Sequence, residues 1–464
     1  MLEKKLLEEI LVKACATGAD FAEVFVEDKY ANNYSLDTGK INSANSSNEK
    51  GAGIRVALNN QSVYGYTNDL SEESLISLAF ELSQSFDETV KVSEVALEEL
   101  EYESINKYEK VPTDVSVDEK VKIMKTAATA ASEYDEVISQ VYCRLLDETQ
   151  TVWIANSDNL YVSDQRVRVR IAVSAIATQG EDMQSGSESP GAGEGYEFFD
   201  KIDLVEVGRE AARIAKTMIE ADECPSGEIP VIIDNKFGGV IFHEACGHPL
   251  EATSVAKGLS VFSGRMGEKI AHECVTAIDD GTIPNAWGSG NVDDEGNKTE
   301  RTVLIENGIL KNYLVDKLNA RRMPESRANG ASRRQSYKFQ PTSRMSNTFI
   351  DNGQNTVEEL IEATEFGLFA KKMGGGSVNP ATGDFNFSVM EGYIIENGKL
   401  TKAVKGATLV GNGADILTKI DMVANNLDRA QGMCGSSSGS LAADVGQPTL
   451  RVSSMTVGGR GGAL

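Results

Sequence analysis

Residues 160–178 read LYVSDQRVRVRIAVSAIAT and decide the fold class of this chain. Between positions 167 and 173 every second residue is valine or isoleucine, which is the spacing of a β-strand with one buried face. Apolar runs at 137–144 and 150–155 predict two further strands before it, with no helix in between. Strands that follow one another without strict βαβ alternation are typical of an α+β fold.

The residues on either side of this stretch predict both helices and strands. Apolar residues at three- and four-residue spacing predict helices over 3–17, 71–86, 116–133 and 202–220. Short apolar runs predict strands at 21–26, 53–58 and 62–66, the last two joined by a hairpin turn at 59–61. We therefore predict a mixed N-terminal α/β domain.

The segment ADECPSG at 221–227 is rich in turn-forming residues and predicts a domain boundary. The predicted domains are residues 1–222 and 223–464. A strand at 229–233 opens the second domain, and the Asn-Gly pairs at 307–308 and 397–398 predict two hairpins. We expect an α+β protein whose C-terminal domain is β-rich and carries the metal-site helix.

Composition and charge exclude several classes of protein. The chain has 464 residues, 41% of them hydrophobic, so it can form sizeable cores and is not a disordered chain. Its apolar runs are shorter than the roughly 20 residues that span a bilayer, and its first residues do not resemble a signal peptide. The formal net charge of −25 makes nucleic acid an unlikely partner. Six cysteines without a CxxC pair fit reduced thiols, and we expect a cytoplasmic protein with no membrane association.

Two of the three histidines flank a glutamate in IFHEACGHPLE, residues 241–251. Imidazole nitrogens bind Zn²⁺ well, and a carboxylate beside the first ligand can take a proton from metal-activated water. The alternative without a metal is a buried helix end whose histidines make local hydrogen bonds. The pairing of two histidines around Glu244 favours the metal site.

The spacing of His243 and His248 is unusual, because the second histidine comes five residues after the first. On a regular α-helix the two side chains would lie about 140° apart around the axis, too far apart to bind one metal. Gly247 loosens the backbone, and Pro249 disfavours helical conformation at the residue before it. We therefore predict that the helix ends or bulges at 246–248 and that His248 leaves the helical conformation.

A catalytic zinc site usually has three protein ligands and an open position. Cys246 is close to His243 around a helix turn, and His272 and Cys274 would share a face if their segment were a strand. Cys434 lies in a glycine-flanked loop that could bring a thiolate to the metal. Spacing alone leaves these four candidates open.

The motif over 243–248 resembles the HExxxH motif of the TldD/PmbA family of metalloproteases, also named modulators of DNA gyrase. The resemblance covers much of the chain and is strongest after residue 235. Further matching stretches are 279–282 (DDGT), 304–310 (LIENGIL), 316–321 (DKLNAR), 344–348 (RMSNT), 374–376 (GGG), 404–409 (VKGATL) and 445–450 (VGQPTL). Because PmbA-like members lack the metal motif, the chain is similar to the TldD-like branch.

This resemblance implies a zinc-dependent peptidase with His243, His248 and Cys434 as ligands and Glu244 as catalytic base. It also implies a cavity that admits small or unfolded peptides, and a homodimer or a heterodimer with a PmbA-like family member. Two other classes stay open: a non-catalytic metal-binding partner subunit, and a regulator of a protease or nucleic-acid-associated complex.

Residues 317–344 form a basic segment in this acidic chain. The segment contains eight basic side chains and a single acidic one: Lys317, Arg321, Arg322, Arg327, Arg333, Arg334, Lys338 and Arg344, with Glu325. The segment could bind peptide carboxylates or carbonyls, since arginine forms bidentate contacts. It could instead pair with the acidic first domain or with a partner subunit, or form a nucleic-acid patch.

Overall fold

The computed structural model describes residues 2–90, 92–379 and 382–464, and it has the predicted α+β architecture. One eight-stranded sheet is built from residues 21–192. A second eight-stranded sheet and a six-stranded sheet are built from residues 222–458. The C-terminal part is β-rich, as predicted.

The first sheet has the strand order β3-β2-β1-β5-β6-β4, and two short strands, β7 and β8, also pair with β6. Its strands are β1 (Phe21–Asp37), β2 (Lys40–Leu58), β3 (Gln61–Thr67), β4 (Glu98–Glu99), β5 (Ile138–Asn156), β6 (Leu160–Gln179), β7 (Asp182–Glu188) and β8 (Gly191–Ala192). The helices of this half are α1 (Lys4–Ala14), α2 (Glu72–Ser83), α3 (Val117–Ser132), α4 (Phe198–Lys201) and α5 (Leu204–Ile219). The four predicted helices are confirmed to within three residues at each end.

Two helix pairs cover the first sheet and form two cores. Helices α1 and α2 pack over β1 and β2, while α3 and α5 pack over β5 and β6. Helices α3 and α5 approach each other closely because their facing residues are small. A Cβ on Gly208 would lie only 2.0 Å from the carbonyl oxygen of Ala127. Any larger residue at 208 would therefore force the two helices apart.

The strands of this sheet are longer than the sequence predicts. The strand predicted at 21–26 continues to Asp37, and the two strands predicted at 137–144 and 150–155 are one strand, β5. The polar residues in between show no apolar alternation, but β1 pairs with β2 and β5 over almost its whole length. Pairing on both sides satisfies their backbone groups and overrides their weak strand propensity.

The C-terminal half contains two large sheets with the orders β17-β10-β24-β20-β18-β19-β9 and β13-β12-β11-β16-β23-β22. Strand β21 pairs with β24, and β14 and β15 form a separate two-stranded sheet. Its strands are β9 (Asp222–Glu223), β10 (Gly227–Ile233), β11 (Ala277–Asp280), β12 (Arg301–Glu306), β13 (Ile309–Leu310), β14 (Ser332–Arg333), β15 (Thr342–Ser343), β16 (Asn347–Ile350), β17 (Phe366–Val378), β18 (Asp384–Glu396), β19 (Lys399–Lys405), β20 (Thr408–Asn412), β21 (Ile420–Val423), β22 (Asp428–Ser436), β23 (Gly439–Gln447) and β24 (Leu450–Gly458). Its helices are short: α6 (Val240–Phe242), α7 (Ala252–Val255), α8 (Lys317–Arg322), α9 (Val357–Glu362) and α10 (Gly413–Lys419). Strand β22 lies at the edge of the six-stranded sheet.

Both predicted Asn-Gly hairpins are confirmed. Asn307 and Gly308 join β12 to β13 with φ of 48° and 80°, and Asn397 and Gly398 join β18 to β19 with φ of 53° and 70°. These positive φ values are what a tight turn between right-twisted strands requires, and they explain the residue pair.

Half of the basic side chains in the segment 317–344 pair with acidic residues of the first half. The ion pairs are Lys317 with Asp158, Arg321 with Asp20, Arg334 with Glu23, and Lys338 with Glu49. Arg334 and Glu23 are fully buried. The structure thus supports the interpretation that the segment pairs with the acidic first half, for four of its eight basic side chains.

The division into domains 1–222 and 223–464 stays a prediction.

Among the described residues, the structure contains no helix with the length and apolar character needed to cross a lipid bilayer.

Candidate metal centre

A single widened helical turn carries the two histidines of the motif. After α6 the backbone forms a π-turn over His243–Gly247, which is followed by a 3₁₀ turn over His248–Leu250. The backbone N–H of His248 donates to the carbonyl of His243. A hydrogen bond from residue i+5 to residue i places the two residues one turn apart on the same side of the helix. The predicted bulge is confirmed.

The predicted departure of His248 from helical conformation is wrong. Its φ and ψ are −58° and −42°, so Pro249 has not moved it out of the helical region. Gly247 also keeps helical dihedrals, with φ −63° and ψ −52°. Its importance is steric, since a Cβ there would lie 2.2 Å from Sδ of Met345. The widened turn itself brings His248 round to the side of His243.

Cys434 reaches both histidines from a distant strand. Its Sγ lies 3.1 Å from Nε2 of His243 and 3.2 Å from Nε2 of His248. The two imidazole rings lie with centroids 5.2 Å apart and planes at 82°. Around a tetrahedral zinc, with Zn–N of about 2.0 Å and Zn–S of about 2.3 Å, nitrogen and sulfur would be about 3.5 Å apart. Two imidazoles and a thiol in this arrangement therefore fit one zinc ion after shifts of a few tenths of an ångström.

The hairpin formed by β22 and β23 positions the thiol. Successive side chains of a strand point to opposite faces, and Cys434 is buried while its neighbour Met433 is 55% exposed. The buried side chain of Arg344 donates to the carbonyl of Cys434 at 2.6 Å. It also donates to Ser438 Oγ and to the carbonyl of Gly439, at 2.9 and 3.0 Å. Arg344 thus ties down the tip of the hairpin that carries the sulfur.

Glu251 orients the second histidine and was not singled out from the sequence. Its Oε1 lies 3.1 Å from Nδ1 of His248, and the carboxylate is buried. This contact would keep a proton on Nδ1 when Nε2 binds a metal ion. Glu251 follows His248 by three residues, which places both on one side of a helical turn and could have pointed to it.

Glu244 lies beside the three candidate ligands without joining them. Its Oε2 is 3.7 Å from Nε2 of His248, and its side chain is 30% exposed. The carboxylate therefore borders the cluster and stays open to water.

The surroundings of Cys434 favour the thiolate. Burial acts to raise the pKa of Cys434, but the neighbouring His243 and His248 outweigh it and lower that pKa to about 3. Burial acts to lower the pKa of His248, but Glu251 and Cys434 raise it well above the usual value. A thiolate is the form of cysteine that binds metal ions, so the sulfur is held in its ligand form.

The other three candidate ligands do not join this cluster. Cys246 is buried and its Sγ contacts the carbonyl of Gly413 at 3.4 Å. His272 and Cys274 contact each other, with Nδ1 and Sγ 3.1 Å apart, in a turn rather than in a strand. Within the described part of the chain, His243, His248 and Cys434 form the one group of at least three residues that could hold a metal.

Replacing Glu251 with Gln is expected to weaken metal binding about 10- to 100-fold, because an amide orients His248 less strongly than a carboxylate and makes it a weaker base. Competition with a chromophoric chelator measures the affinity. Glu268→Gln, on an exposed loop where Glu268 pairs with Arg265, is the matched control and should bind metal like the parent. An unchanged affinity in Glu251→Gln would show that this contact does not support the ligand.

Family models match nearly the whole chain in three consecutive parts. Residues 22–85 match PmbA/TldA metallopeptidase domain 1, residues 110–219 match the central domain, and residues 226–459 match the C-terminal domain. The "Metalloprotease TldD homolog" of Buchnera aphidicola subsp. Acyrthosiphon pisum is 31% identical over 463 residues, which covers 97% of this chain and 95% of the relative.

Two solved structures have the same fold. One, from Thermotoga maritima, is of a candidate modulator of a DNA gyrase; it has a TM-score of 0.81 at 23% identity and covers 98% of this chain and 100% of its own. The other is TldE from Thermococcus kodakarensis, with a TM-score of 0.76 at 18% identity, covering 97% and 99%. Together with the near full-length relative and the metal motif, these matches show that the chain belongs to the PmbA/TldD metallopeptidase family, in its TldD-like branch.

Proposed function

We propose that this chain is a zinc-dependent peptidase that hydrolyses peptide bonds in small or unfolded peptides. His243, His248 and Cys434 bind the zinc, and Glu244 is the general base. The observation that carries the proposal is the meeting of Cys434 Sγ with both imidazoles across 191 and 186 residues of chain. Because Cys434 is so distant from both histidines in sequence, only the tertiary fold can bring its sulfur to them.

The metal and Glu244 have separate roles in the proposed hydrolysis. When bound, a zinc ion supplies Lewis acidity, which makes water a stronger acid and a peptide carbonyl a better electrophile. Glu244 accepts the proton of the attacking water at a carboxylate oxygen and delivers it to the leaving amine. Glu251 keeps His248 in one orientation throughout. The negative charge of the Cys434 thiolate reduces the Lewis acidity, so we expect modest rates.

The position of Cys434 on an edge strand favours extended peptides as substrates. Strand β22 pairs only with β23, so the backbone N–H and C=O groups of its outer edge are free of strand partners among the described residues. An extended peptide can pair with such an edge, while a folded protein has few segments available in this form. Pairing along β22 would bring the peptide backbone past the metal ligand.

We further propose that the protein acts in the cytoplasm as a homodimer or as a heterodimer with a PmbA-like member. All six cysteines are free thiols, as expected in a reducing compartment. The shared fold with TldE supports a partner of similar shape. Native mass measured together with metal content would distinguish the two assemblies.

The test is hydrolysis of an unstructured peptide by the purified, zinc-loaded chain, alone and mixed with a PmbA-like partner. Cleavage should stop when a chelator removes the metal and return when zinc is restored, and a stably folded protein should resist cleavage. Stoichiometric zinc without cleavage of any unfolded peptide, alone or with the partner, would instead identify a non-catalytic metal-binding subunit.

A further inference from the structure

A cavity of about 530 Å³ lies between the first sheet and the β22–β23 hairpin. Strands β1, β2, β5 and β6 form one wall, and Met433, Leu441 and Ala442 of the hairpin form part of the other. Met433 is the neighbour of Cys434 and points to the opposite face. The hairpin that holds the candidate metal ligand therefore also closes this cavity.

Four arginines line the cavity: Arg166, Arg168, Arg333 and Arg334, the last of which pairs with the buried carboxylate of Glu23. The first two have carboxylate partners, since Arg166 pairs with Asp164 and Asp294, and Arg168 pairs with Glu148. The guanidinium of Arg333 donates only to backbone carbonyls, those of Met345 and Ala442, at 2.6 and 2.7 Å. No carboxylate of the described residues lies within ion-pair distance of it.

This arrangement leaves Arg333 without an ion pair, although the more distant carboxylate of Asp294 acts to raise its pKa. Burial and the nearby guanidinium of Arg168 lower the pKa of Arg333 to about 10, so Arg333 is still charged at neutral pH. A partly desolvated cation beside other cations is unfavourable unless an anion joins it. Elsewhere in the segment 317–344, four cations pair with carboxylates of the first half: Lys317, Arg321, Arg334 and Lys338.

We propose that this cavity binds a carboxylate group of the peptide substrate, with Arg333 and Arg168 as donors, an inference that rests on the proposed peptidase function. The planar guanidinium matches a carboxylate with two parallel hydrogen bonds. Both arginines also line a smaller pocket beside the cavity, so their charged groups share one region. The carboxylate comes from the C-terminus of the peptide or from an acidic side chain.

The test measures binding rather than cleavage, in the zinc-loaded full chain carrying Glu244→Gln. The probes are fluorescein-labelled octapeptides of Ala, Gly, Leu and Ser in two pairs. One pair ends in a free carboxylate or an amide, and the other, amidated, carries an internal Glu or Gln. In at least one pair we expect the acidic peptide to bind about 10- to 100-fold more tightly than its neutral counterpart, because hydrogen bonds to a charged group are stronger than those to a neutral one.

Adding Arg333→Gln should remove this preference. Arg322→Gln is the matched control, because Arg322 lies in the same segment, also donates only to neutral oxygens and does not line the cavity. The control should keep the preference. If thermal unfolding shows that Arg333→Gln does not fold, Arg168→Gln replaces it. A preference that survives in a folded Arg333 variant would overturn the assignment.

Equal binding of acid and neutral peptides in both pairs would overturn the proposal outright. If glutarate or inorganic phosphate then raises the unfolding temperature in an Arg333-dependent way, the site takes a free anion and not the substrate. Cleavage of both members of each pair at equal efficiency would reject this inference and leave the peptidase function standing. Selective binding without cleavage by the parent enzyme would reject the peptidase function instead.

Discussion

Glu244→Gln is expected to keep its zinc and to lose peptide hydrolysis, by a factor of about 10² to 10⁴ in kcat. The amide has nearly the shape of the carboxylate but cannot accept a proton from water. Oε2 of Glu244 lies 3.7 Å from Nε2 of His248, at the border of the ligand cluster. We therefore expect the three ligands to stay in place in the variant. Metal analysis and single-substrate kinetics on the same sample measure both results.

A matched substitution separates this role from a general loss of charge. Glu358 lies on the exposed first turn of α9, and Glu358→Gln should leave both zinc and kcat unchanged. Full activity in Glu244→Gln would end the proposed mechanism. Loss of zinc in that variant would mean that Glu244 holds the metal site together and is not the base.

Cys434→Ser is expected to lose most of its zinc, and hydrolysis with it. The Cys434 thiolate is the third ligand and the only one of the three that carries a negative charge. A serine hydroxyl does not ionise at neutral pH, so the variant would keep only the two imidazoles as ligands. Zinc content after gel filtration should fall from about one ion per chain to less than about a tenth. The loss should also appear as a lower unfolding temperature in the presence of zinc, since a ligand that binds only the folded state stabilises it.

Cys274→Ser is the control for this experiment, because Cys274 is also a free cysteine in contact with a histidine. It should keep its zinc, since Cys274 and His272 lie outside the cluster. Undiminished zinc in Cys434→Ser would remove Cys434 from the ligand set, and zinc loss in Cys274→Ser would place the third ligand there.

The basic segment shows how tertiary structure divides a uniform sequence feature. Eight cations within 28 residues offered no basis for separating a substrate-binding group from a structural one. In the structure, Arg334 pairs with the buried Glu23 and Lys338 pairs with Glu49, while Arg333 donates only to backbone carbonyls. Adjacent arginines therefore differ in the partners that distant parts of the fold supply to them.

Strand lengths in the first sheet show a second limit. Sequence alternation detects a strand only where one face is buried in an apolar core, as in β6. Most of the residues from 40 to 50 are exposed and polar, yet they belong to β2 because β1 runs alongside them. Backbone pairing does not depend on side-chain polarity, so nothing in that stretch of sequence marks it as a strand.

The sequence by itself determined the α+β class, the four main helices, the Asn-Gly turns and the part of the candidate site that lies within one turn, His243, Glu244 and His248. These features depend on contacts between residues that are close along the chain, which periodicity, caps and turn residues specify directly. Only the tertiary structure decided which cysteine meets the histidines and which of the cavity's arginines makes no ion pair. Those contacts join segments up to 191 residues apart, and the packing of separate sheets and hairpins, which no local pattern encodes, sets their distances.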